Sequence, residues 1–517
     1  MSCLACITLP IYGLILFVVY QYYRFFMKPK AQLAHYEKQG LPVIFAPFYG
    51  FLQGLTEGVQ KHKDLFYGWK QLNYMNPKPR AFASNLGAAP VVGLKDPELI
   101  KAFFQTQEKS YIKAPAACDV AKMILRNGTL LVDGSTWKAH RKLSNPLYSF
   151  DHVKERIPEI TAVANKMLEK LKEKDLKKVN FMREMQHILL EITGKLFFDL
   201  ELSTLSFKGD TVSGFVADLI DRSAVEALTP FTIFFSTDIV KTGIHPRHKA
   251  LVKDINDLRG FLYGAAKAKL GEILAAKANG TDTGKLPLLL EILYQQHQKL
   301  TEEHLDEVDL VDEFAMFTLG SMDTTSHVIT MTSYFHLNCP ESQKKLNQEV
   351  NETFKDVSQI SLDNLSKMDY MTAVMRETLR MAPPLPNFLP RQATEDHKLG
   401  DLDIRAGTIV VVAGVTNNCD PEYHDEPNTF NPERWLDEKS RTRQSTGKNS
   451  YISLPFFTGP RVCPGKELGT NLVRIVFGLF VKKFNYEYTD KNYEMAFTTK
   501  LFQEPLETLN YSLTPKN

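Results

Sequence analysis

The stretch "PFFTGPRVCPGKELG" surrounds Cys463 with residues that suit a reactive sulfur. Gly459 and Gly465 allow the backbone to turn sharply and to approach a flat ligand closely. Arg461 is a cation that would pair with an anionic group of that ligand, and Phe456 would form an aromatic wall. A helix predicted after Gly465 directs its N-terminal amides toward the sulfur, which favours the thiolate over the thiol. The pattern therefore predicts a thiolate site beside a flat ligand that carries an anionic group.

The alternative for Cys463 is an inert cysteine in the core, which is the usual state of a buried free thiol.

The chain of 517 residues contains only 6 cysteines, so a reducing compartment is expected rather than a disulfide framework. The formal net charge of +2 gives no argument for nucleic-acid binding. The hydrophobic content of 44% is typical of a globular protein with a large core.

Two charged residues of "RETLRM", Glu377 and Arg380, lie three apart on one face of a predicted helix. On an exposed surface such a pair would contribute only about 0–1 kcal/mol. The apolar neighbours indicate burial, and a buried ion pair needs further partners. Arg434, in "FNPERW", is the candidate for a third member.

The longest predicted helix carries the polar sequence "LGSMDTTSH". Small residues followed by Asp323 and Thr324 are poor helix formers in the middle of a helix. One explanation is helix packing, because Gly320 and Ser321 allow a neighbouring helix to approach closely. The other is a local widening of the helix that opens a groove, in which the acid and the alcohol would handle protons.

Helices and a few strands are predicted to position these residues. The hydrophobic spacing is mostly helical from Trp137 to about Phe354, and another helix follows Cys463. The stretch "APVVGLKDPELIKAFFQ" predicts a strand and then a helix capped by Asp96, and "TIVVVAGVT" predicts a buried strand. The end of the chain is predicted to form short strands. The fold class is therefore mainly α with small β-sheets, an α+β arrangement.

The first 30 residues are predicted to form a separate membrane segment. Leu4–Tyr23 carries no charge and is long enough for a transmembrane helix, which needs about 20 residues. Arg24, Lys28 and Lys30 follow it, so the positive-inside rule places the rest of the chain in the cytosol. A retained anchor is favoured over a cleaved signal peptide, because neither a basic start nor a cleavage site is clear. Residues 1–30 are thus the anchor with its basic flank, and residues 31–517 a single domain.

The residues around Cys463 resemble the signature F-x-x-G-x-R-x-C-x-G of the cytochrome P-450 family, the haem-thiolate monooxygenases. The resemblance implies a cytochrome P-450 fold of the membrane-anchored microsomal type, with haem b as cofactor. It implies that Cys463 is the axial ligand of the haem iron and that its thiolate favours O–O cleavage. Phe456, Gly459, Arg461 and Gly465 would then form the haem-binding loop.

Other motifs of the family occur in the family's order. Trp137 and Arg141 match its W-x-x-x-R pair, which contacts the haem propionates, although the two residue types often simply stack at that spacing. Arg391 and Arg461 match further positions where the family places propionate-binding cations. A structural cluster, from the E-x-x-R helix and the P-E-R segment, corresponds to Glu377, Arg380 and Arg434.

The long helix resembles the family's pattern [A/G]-G-x-[D/E]-T-[T/S]. Gly320, Asp323, Thr324 and Thr325 match this pattern, whereas Ser321 stands where glycine is usual. The resemblance implies that Thr324 donates a hydrogen bond toward dioxygen and that Asp323 gates proton delivery. The Ser321 hydroxyl is expected to bond to the backbone.

The implied activity inserts one oxygen atom of O₂ into a lipophilic substrate. The family's pocket would include Phe317 and Phe388–Leu389. The chain contains no G-x-G-x-x-G fingerprint, so electrons would come from NADPH through a membrane-bound reductase that carries FAD and FMN, with a small haem protein as a further donor. The implied location is the endoplasmic reticulum membrane, as a single-pass protein whose catalytic domain faces the cytosol.

Two other functions are weighed against this one. A haem-thiolate isomerase or dehydratase acting on peroxides would need no reductase, but such family members tend to lose the acid and alcohol that Asp323 and Thr324 supply. A non-catalytic haem sensor or carrier would not need Thr324 and an acid beside it.

Overall fold

The computed structural model describes residues 2–47, 50–106, 108–202, 204–227, 229, 232, 238–280, 291, 307–386, 390–437, 450–499 and 502–516. Within these ranges the chain is mostly helical, with small sheets, as the sequence predicts. The expected pocket residues Phe388–Leu389 lie outside the described residues.

The helices of the N-terminal half include short pieces around the sheet and long packing helices. They are α1 Ser2–Tyr22, α2 Lys28–Glu37, α3 Phe51–His62, α4 Tyr67–Lys70, α5 Pro97–Lys101, α6 Pro115–Leu125, α7 Gly134–Ser144, α8 Phe150–Leu171, α9 Phe181–Phe198, α10 Val212–Ala227, α11 Asp238–Lys241 and α12 Pro246–Ala278. As expected, Asp96 caps α5, because its side chain accepts a hydrogen bond of 2.8 Å from the Glu98 amide.

The C-terminal half contains the long central helix and the helix that follows the cysteine loop. Its helices are α13 Glu307–Asn338, α14 Pro340–Thr353, α15 Leu362–Ser366, α16 Asp369–Met381, α17 Gly414–Asn418 and α18 Lys466–Lys483. Pro340 ends α13, because proline cannot continue a helix, and the same residue begins α14.

Fifteen short strands form separate sheets in the described ranges. The strands are β1 Val43–Ile44, β2 Ala81–Leu86, β3 Ala89–Leu94, β4 Tyr111–Lys113, β5 Val179–Asn180, β6 Ser206–Phe207, β7 Asp210–Thr211, β8 Arg391–Ala393, β9 His397–Leu399, β10 Leu402–Ile404, β11 Ile409–Val412, β12 Phe484–Tyr488, β13 Phe497–Thr499, β14 Gln503–Pro505 and β15 Asn510–Pro515. The largest sheet has the order β1-β2-β3-β11-β8-β4. Its strand β11 is buried along its whole length, as "TIVVVAGVT" predicts.

The main core lies between the long helices. Helix α13 packs along α9, and α18 packs against both α8 and α13. Leu168, Leu189, Met322 and Phe477, one from each of these four helices, are fully buried in this core. The helix after the cysteine loop is therefore held rigidly against the central helix.

The N-terminal helix α1 covers most of the predicted membrane segment. Its side chains from Ile11 to Tyr20 are exposed. None of the helices in the described parts of the chain combines the length and the apolarity that crossing a bilayer requires. The expectation of a transmembrane helix over Leu4–Tyr23 is thus not confirmed.

Candidate active site

The cysteine loop is a tight turn closed by backbone hydrogen bonds. The Cys463 amide donates to the Phe456 carbonyl over 2.9 Å, and the Val462 amide donates to the Gly459 carbonyl over 3.1 Å. Gly459 has φ +70°, and a Cβ at this position would lie 3.0 Å from the Phe104 carbonyl oxygen. Glycine is therefore required here both for the backbone conformation and because the backbone at Phe104 lies so close. The Phe456 side chain packs against the main core.

The Cys463 sulfur lies immediately before α18. Burial raises the pKa of the Cys463 thiol, although the Gly465 amide and the Arg141 charge both act to lower it. In the absence of a metal ion, the cost of burying the charge therefore outweighs the amide and the cation. A bound metal ion would reverse this balance, since a coordinated thiol loses its proton.

An aromatic side chain borders the sulfur on the helix side. A Cβ added to Gly465 would lie 3.7 Å from the Tyr148 ring and 4.0 Å from the Cys463 sulfur. The Tyr148 ring also packs against Phe317, with 5.8 Å between the ring centroids. Phe317, which the family resemblance places in the substrate pocket, is thus buried in an aromatic cluster. Tyr148 was missed by sequence reasoning, because "NPLYSF" carries no motif.

Three of the predicted cofactor-binding residues meet where α7 lies beside the cysteine loop. The Arg461 guanidinium pairs with the Asp133 carboxylate over 2.8 Å and lies 3.8 Å from the centroid of the Trp137 ring. Arg141 donates to the carbonyl of Val462 over 2.7 Å. The W-x-x-x-R pair and the cysteine loop are therefore joined directly, and the tryptophan stacks on the loop arginine rather than on Arg141.

Two further cations approach the same place from the large sheet. Lys113 of β4 is paired in register with Arg391 of β8, and both side chains are buried. The Lys113 ammonium donates to the Val132 carbonyl over 3.0 Å. Burial and the repulsion of Arg461 and Arg391 lower the pKa of Lys113 to about 7. We call Lys113, Arg391 and Arg461 the cation cluster, and Lys113 is the member that sequence reasoning missed.

The acid and the alcohol of α13 are both held by neighbouring groups. Asp323 is buried and accepts a hydrogen bond of 3.0 Å from Gln186 of α9. Burial raises the pKa of the Asp323 carboxyl to about 7, which suits a group that exchanges protons near neutral pH. The Thr324 hydroxyl donates to the Gly320 carbonyl over 2.7 Å.

The local widening that was one of the two explanations for this stretch of the helix is not present. Residues 307–338 form one uninterrupted α-helix. Ser321, at the position where glycine is usual, donates to the Phe317 carbonyl over 2.7 Å and shares a hydrogen bond of 2.9 Å with Thr193 of α9. The Ser321 hydroxyl thus bonds to the backbone as expected, and it ties α13 to α9 where a groove would open.

Glu377, Arg380 and Arg434 form one buried ion cluster. Glu377 accepts from Arg380 Nε and Nη2 over 2.9 and 2.8 Å and from Arg434 Nε over 3.0 Å. The Trp435 indole N–H adds a bond of 2.9 Å that the sequence motif did not indicate. Burial alone would raise the pKa of the Glu377 carboxyl, but the two arginines lower it below its ordinary value.

This ion cluster also holds loop backbone. Arg380 donates to the carbonyls of Asn418 and Pro427 over 2.7 Å each, and Arg434 donates to the Asp425 carbonyl over 3.0 Å. The cluster therefore joins α16 to the segment that leads toward the cysteine loop. Its members touch neither Cys463 nor the cation cluster in the described contacts.

Comparison with known proteins identifies the family. The sequence pattern of the family described as Cytochrome P450 matches residues 65–511. This chain belongs to the cytochrome P450 family. A Caenorhabditis elegans protein, "Putative cytochrome P450 CYP13A1", is 25% identical to this P450, with 78% of this chain and 80% of the relative covered. The Medicago truncatula protein "11-oxo-beta-amyrin 30-oxidase" is 26% identical, with 90% and 82% covered.

The fold agrees with this assignment. The crystal structure of the cytochrome P450DA heme domain superposes with a TM-score of 0.73 at 17% sequence identity, covering 92% of this chain and 98% of that one. The family is that of the haem-thiolate monooxygenases, so this P450 is a monooxygenase whose cofactor is haem.

The described residues fit a haem group. Cys463 offers one sulfur ligand at the end of a turn that admits no side chain at Gly459. Burial, and then the charges of Arg461 and Arg391, lower the pKa of Lys113, and the carboxylate of Asp133 lies near both Lys113 and Arg461. Three cations this close together would suit the two carboxylates of a porphyrin, since cations are the groups that pair with carboxylates. The donor set thus matches the ligand chemistry that the family implies.

Proposed function

We propose that this P450 oxidises a lipophilic substrate with electrons that a membrane-bound flavoprotein reductase takes from NADPH. The observation that carries the proposal is the buried acid beside the alcohol on α13, because reductive use of O₂ consumes protons. The Asp323 carboxyl has a pKa of about 7, so it gives up and regains a proton at neutral pH. Thr324 is the adjacent hydroxyl.

The residues have separate roles in this proposal. Haem, when bound, supplies the chemistry that activates O₂. Cys463 would hold its iron, and Arg141 together with the cation cluster would hold and orient its carboxylates. Asp323 exchanges protons while Gln186 keeps the carboxyl oriented, with Oδ1 as the acceptor atom. The dry helix interface around Asp323 keeps bulk water from supplying protons at random.

Electron delivery is proposed to occur beside the cysteine loop. Lys138 and Lys142 on α7 and Lys466 at the start of α18 are exposed and flank this loop. Such a basic face would attract an acidic partner and speed its encounter at low salt. The reductase that carries FAD and FMN is the proposed partner, and a small haem protein is the second donor that could use the same face.

We further propose attachment to the endoplasmic reticulum membrane through α1, with residues 31–517 as one catalytic domain in the cytosol. The exposed apolar side chains support this, because Ile11, Leu14 and Leu16 are 51%, 62% and 68% exposed. Exposed apolar patches of this kind mark interaction surfaces. A lipophilic substrate would partition into the same membrane. Alkaline carbonate extraction of cell membranes would leave the chain in the pellet, whereas release into the supernatant contradicts the attachment.

Reconstitution with a flavoprotein reductase tests the proposed function. Purified holoenzyme, reductase, NADPH and isotopically labelled O₂ are incubated with a panel of fatty acids, sterols and foreign lipophiles. We expect one labelled oxygen atom in a product, formed only when reductase is present. Conversion of a lipid hydroperoxide without NADPH, with no labelled product from any lipid, would contradict the proposal.

A further inference from the structure

The junction between α1 and α2 is helical throughout. Within residues 2–47, all of which the structure describes, α1 ends at Tyr22, a single π-helical turn covers Tyr23–Met27, and α2 begins at Lys28. Tyr22 and Lys28 both have helical backbone angles, and the Lys28 amide donates to the Tyr23 carbonyl, which is the bond of a π-turn. The two helices therefore form one unbroken helix with no loop between them.

One face of this helix is buried from the end of α1 to the end of α2. Its buried residues are Gln21, Phe25, Pro29, Leu33 and Tyr36. They lie three or four residues apart, so they share one side of the helix. Proline bends helices, but Pro29 lies inside this buried face, so packing holds any bend in place. The face runs over about 23 Å at 1.5 Å per residue, and we call it the docked stripe.

The docked stripe rests on the largest sheet. Leu33 and Tyr36 belong to the same buried cluster as Ala83 of β2, and α2 contacts β1, β2 and β3. Nearer to α1, the Phe26 ring meets Phe45, directly after β1, edge to face with 5.6 Å between the ring centroids. The helix is thus packed against the catalytic domain at both ends of α2.

Hydrogen bonds fix the rotation of α2 about its own axis. The buried Tyr36 hydroxyl shares a bond of 2.6 Å with the Thr408 hydroxyl. The Gln39 side chain exchanges two bonds with the backbone of Asp403 in β10, accepting from its amide over 2.8 Å and donating to its carbonyl over 3.1 Å. Packing sets where the helix lies, and these bonds set which side of it faces the domain.

The part of α1 before the docked stripe stands clear of the domain. Residues 11–20 carry no charge and are all exposed. A helix that is apolar all round suits lipid, whereas a groove in a partner protein would need only one apolar side. Arg24, Lys28 and Lys30 follow directly, at the level where anionic lipid headgroups would meet them.

We propose that residues 21–37 couple α1 rigidly to the catalytic domain, so that the tilt of α1 in a lipid bilayer fixes which face of the domain meets the lipid. This inference rests on the proposed membrane attachment. The domain does not swing about a hinge, because the helix that enters the lipid is the helix that is packed on the sheet. A redox partner in the same membrane therefore meets the cysteine loop at one height and one angle.

The test measures the distance between two spin labels by pulsed electron paramagnetic resonance. Full-length holoenzyme in lipid nanodiscs carries a ketone-bearing residue, and on it a nitroxide, in place of Leu16 of α1 and Lys61 of α3. Both positions tolerate a label, because Leu16 is 68% exposed and the Lys61 side chain is 64% exposed. We expect one narrow distance distribution in the parent protein.

Two variants identify what keeps the distribution narrow. A Gly-Ser-Gly-Ser-Gly-Ser insertion between Tyr20 and Gln21 adds a flexible joint with a reach of about 13 Å and should broaden the distribution by a comparable amount. Phe25→Ser combined with Leu33→Ser removes two side chains of the docked stripe and should broaden it as well. The matched control is Met27→Ser combined with Ala31→Ser, since both residues are exposed on the same helix, and it should keep the parent distribution.

A parent distribution as broad as that of the insertion variant would overturn the proposal. So would a stripe variant as narrow as the control, because packing would then not hold the helix. Flotation of the holoenzyme with liposomes separates this failure from that of the proposed attachment. A chain that does not float contradicts the attachment and this inference with it, whereas a chain that floats and gives a broad distribution contradicts this inference alone.

Discussion

Replacing Glu377 with glutamine removes the only negative charge that Arg380 and Arg434 share in the described ion cluster. In the folded protein Oε2 of Glu377 accepts from Arg380 Nε and Trp435 Nε1, each over 2.9 Å. Oε1 accepts from Arg380 Nη2, Arg434 Nε and the Asn431 amide. A glutamine has one oxygen and one NH₂ group, so the donors that face the NH₂ group lose their acceptor.

The expected cost is large because the cluster is dry. Glu377 and Arg380 are both 0% exposed, and removing one partner of a buried pair typically costs about 3–5 kcal/mol. We expect Glu377→Gln to lower the free energy of unfolding by that amount. The matched control is Glu57→Gln, because Glu57 and Lys61 form an exposed pair with side chains 46% and 64% exposed. Such a pair contributes little to stability, because water and salt screen its charges.

The assay is urea unfolding of both variants and the parent, followed by far-ultraviolet circular dichroism and by Soret absorbance. A Glu377→Gln variant that still binds haem and loses less than about 1 kcal/mol, or no more than Glu57→Gln, would refute the reasoning. That result would mean that the buried arginines are satisfied by backbone carbonyls alone.

Three further predictions concern the site. Thr324→Ala should retain haem but lower product formation about a hundredfold, the lower end of the range for a lost proton-handling group. The measurement is product formed per NADPH consumed, and an unchanged ratio would count against a role for the hydroxyl. Burial raises the pKa of Asp323 in the folded protein to about 7, above its ordinary value of 3.8, so the stability that the carboxyl contributes falls as pH rises from about 4 to about 7. Asp323→Asn should therefore be more stable than the parent above pH 7, by at most about 4 kcal/mol, in urea titrations at several pH values. An equal pH dependence in both proteins would show that the carboxyl is ionised when folded. Arg461→Leu removes the partner of Asp133 and the cation over Trp137, so it should speed haem transfer to apomyoglobin about tenfold. The control Arg405→Leu changes an exposed arginine that pairs with Asp396 and should leave the rate unchanged. Equal rates in the two variants would exclude Arg461 from haem retention.

Local patterns in the sequence predicted much of the site. The motif around Cys463 located the cysteine loop, and the Glu377 motif located a cluster whose third member lies far along the chain. The long helix and the buried strand β11 were also expected from hydrophobic spacing. These features depend on residues whose types are required by local geometry or charge.

The features that were missed depend on tertiary packing. Lys113 joins the cation cluster because β4 pairs with β8, and Gln186 reaches Asp323 because α9 packs along α13. No spacing within the sequence indicates either contact. The burial that raises the pKa of the Cys463 thiol was not indicated by the motif either, because burial is a property of the whole fold.

The absorbance spectrum of the reduced, carbon-monoxide-bound holoenzyme tests most directly whether the Cys463 sulfur binds the haem iron. The account predicts a strongly red-shifted Soret band in the parent protein and its loss in Cys463→Ser, with helix content unchanged by circular dichroism. A parent spectrum typical of a nitrogen ligand, or a Cys463→Ser variant that keeps the red-shifted band, would contradict it.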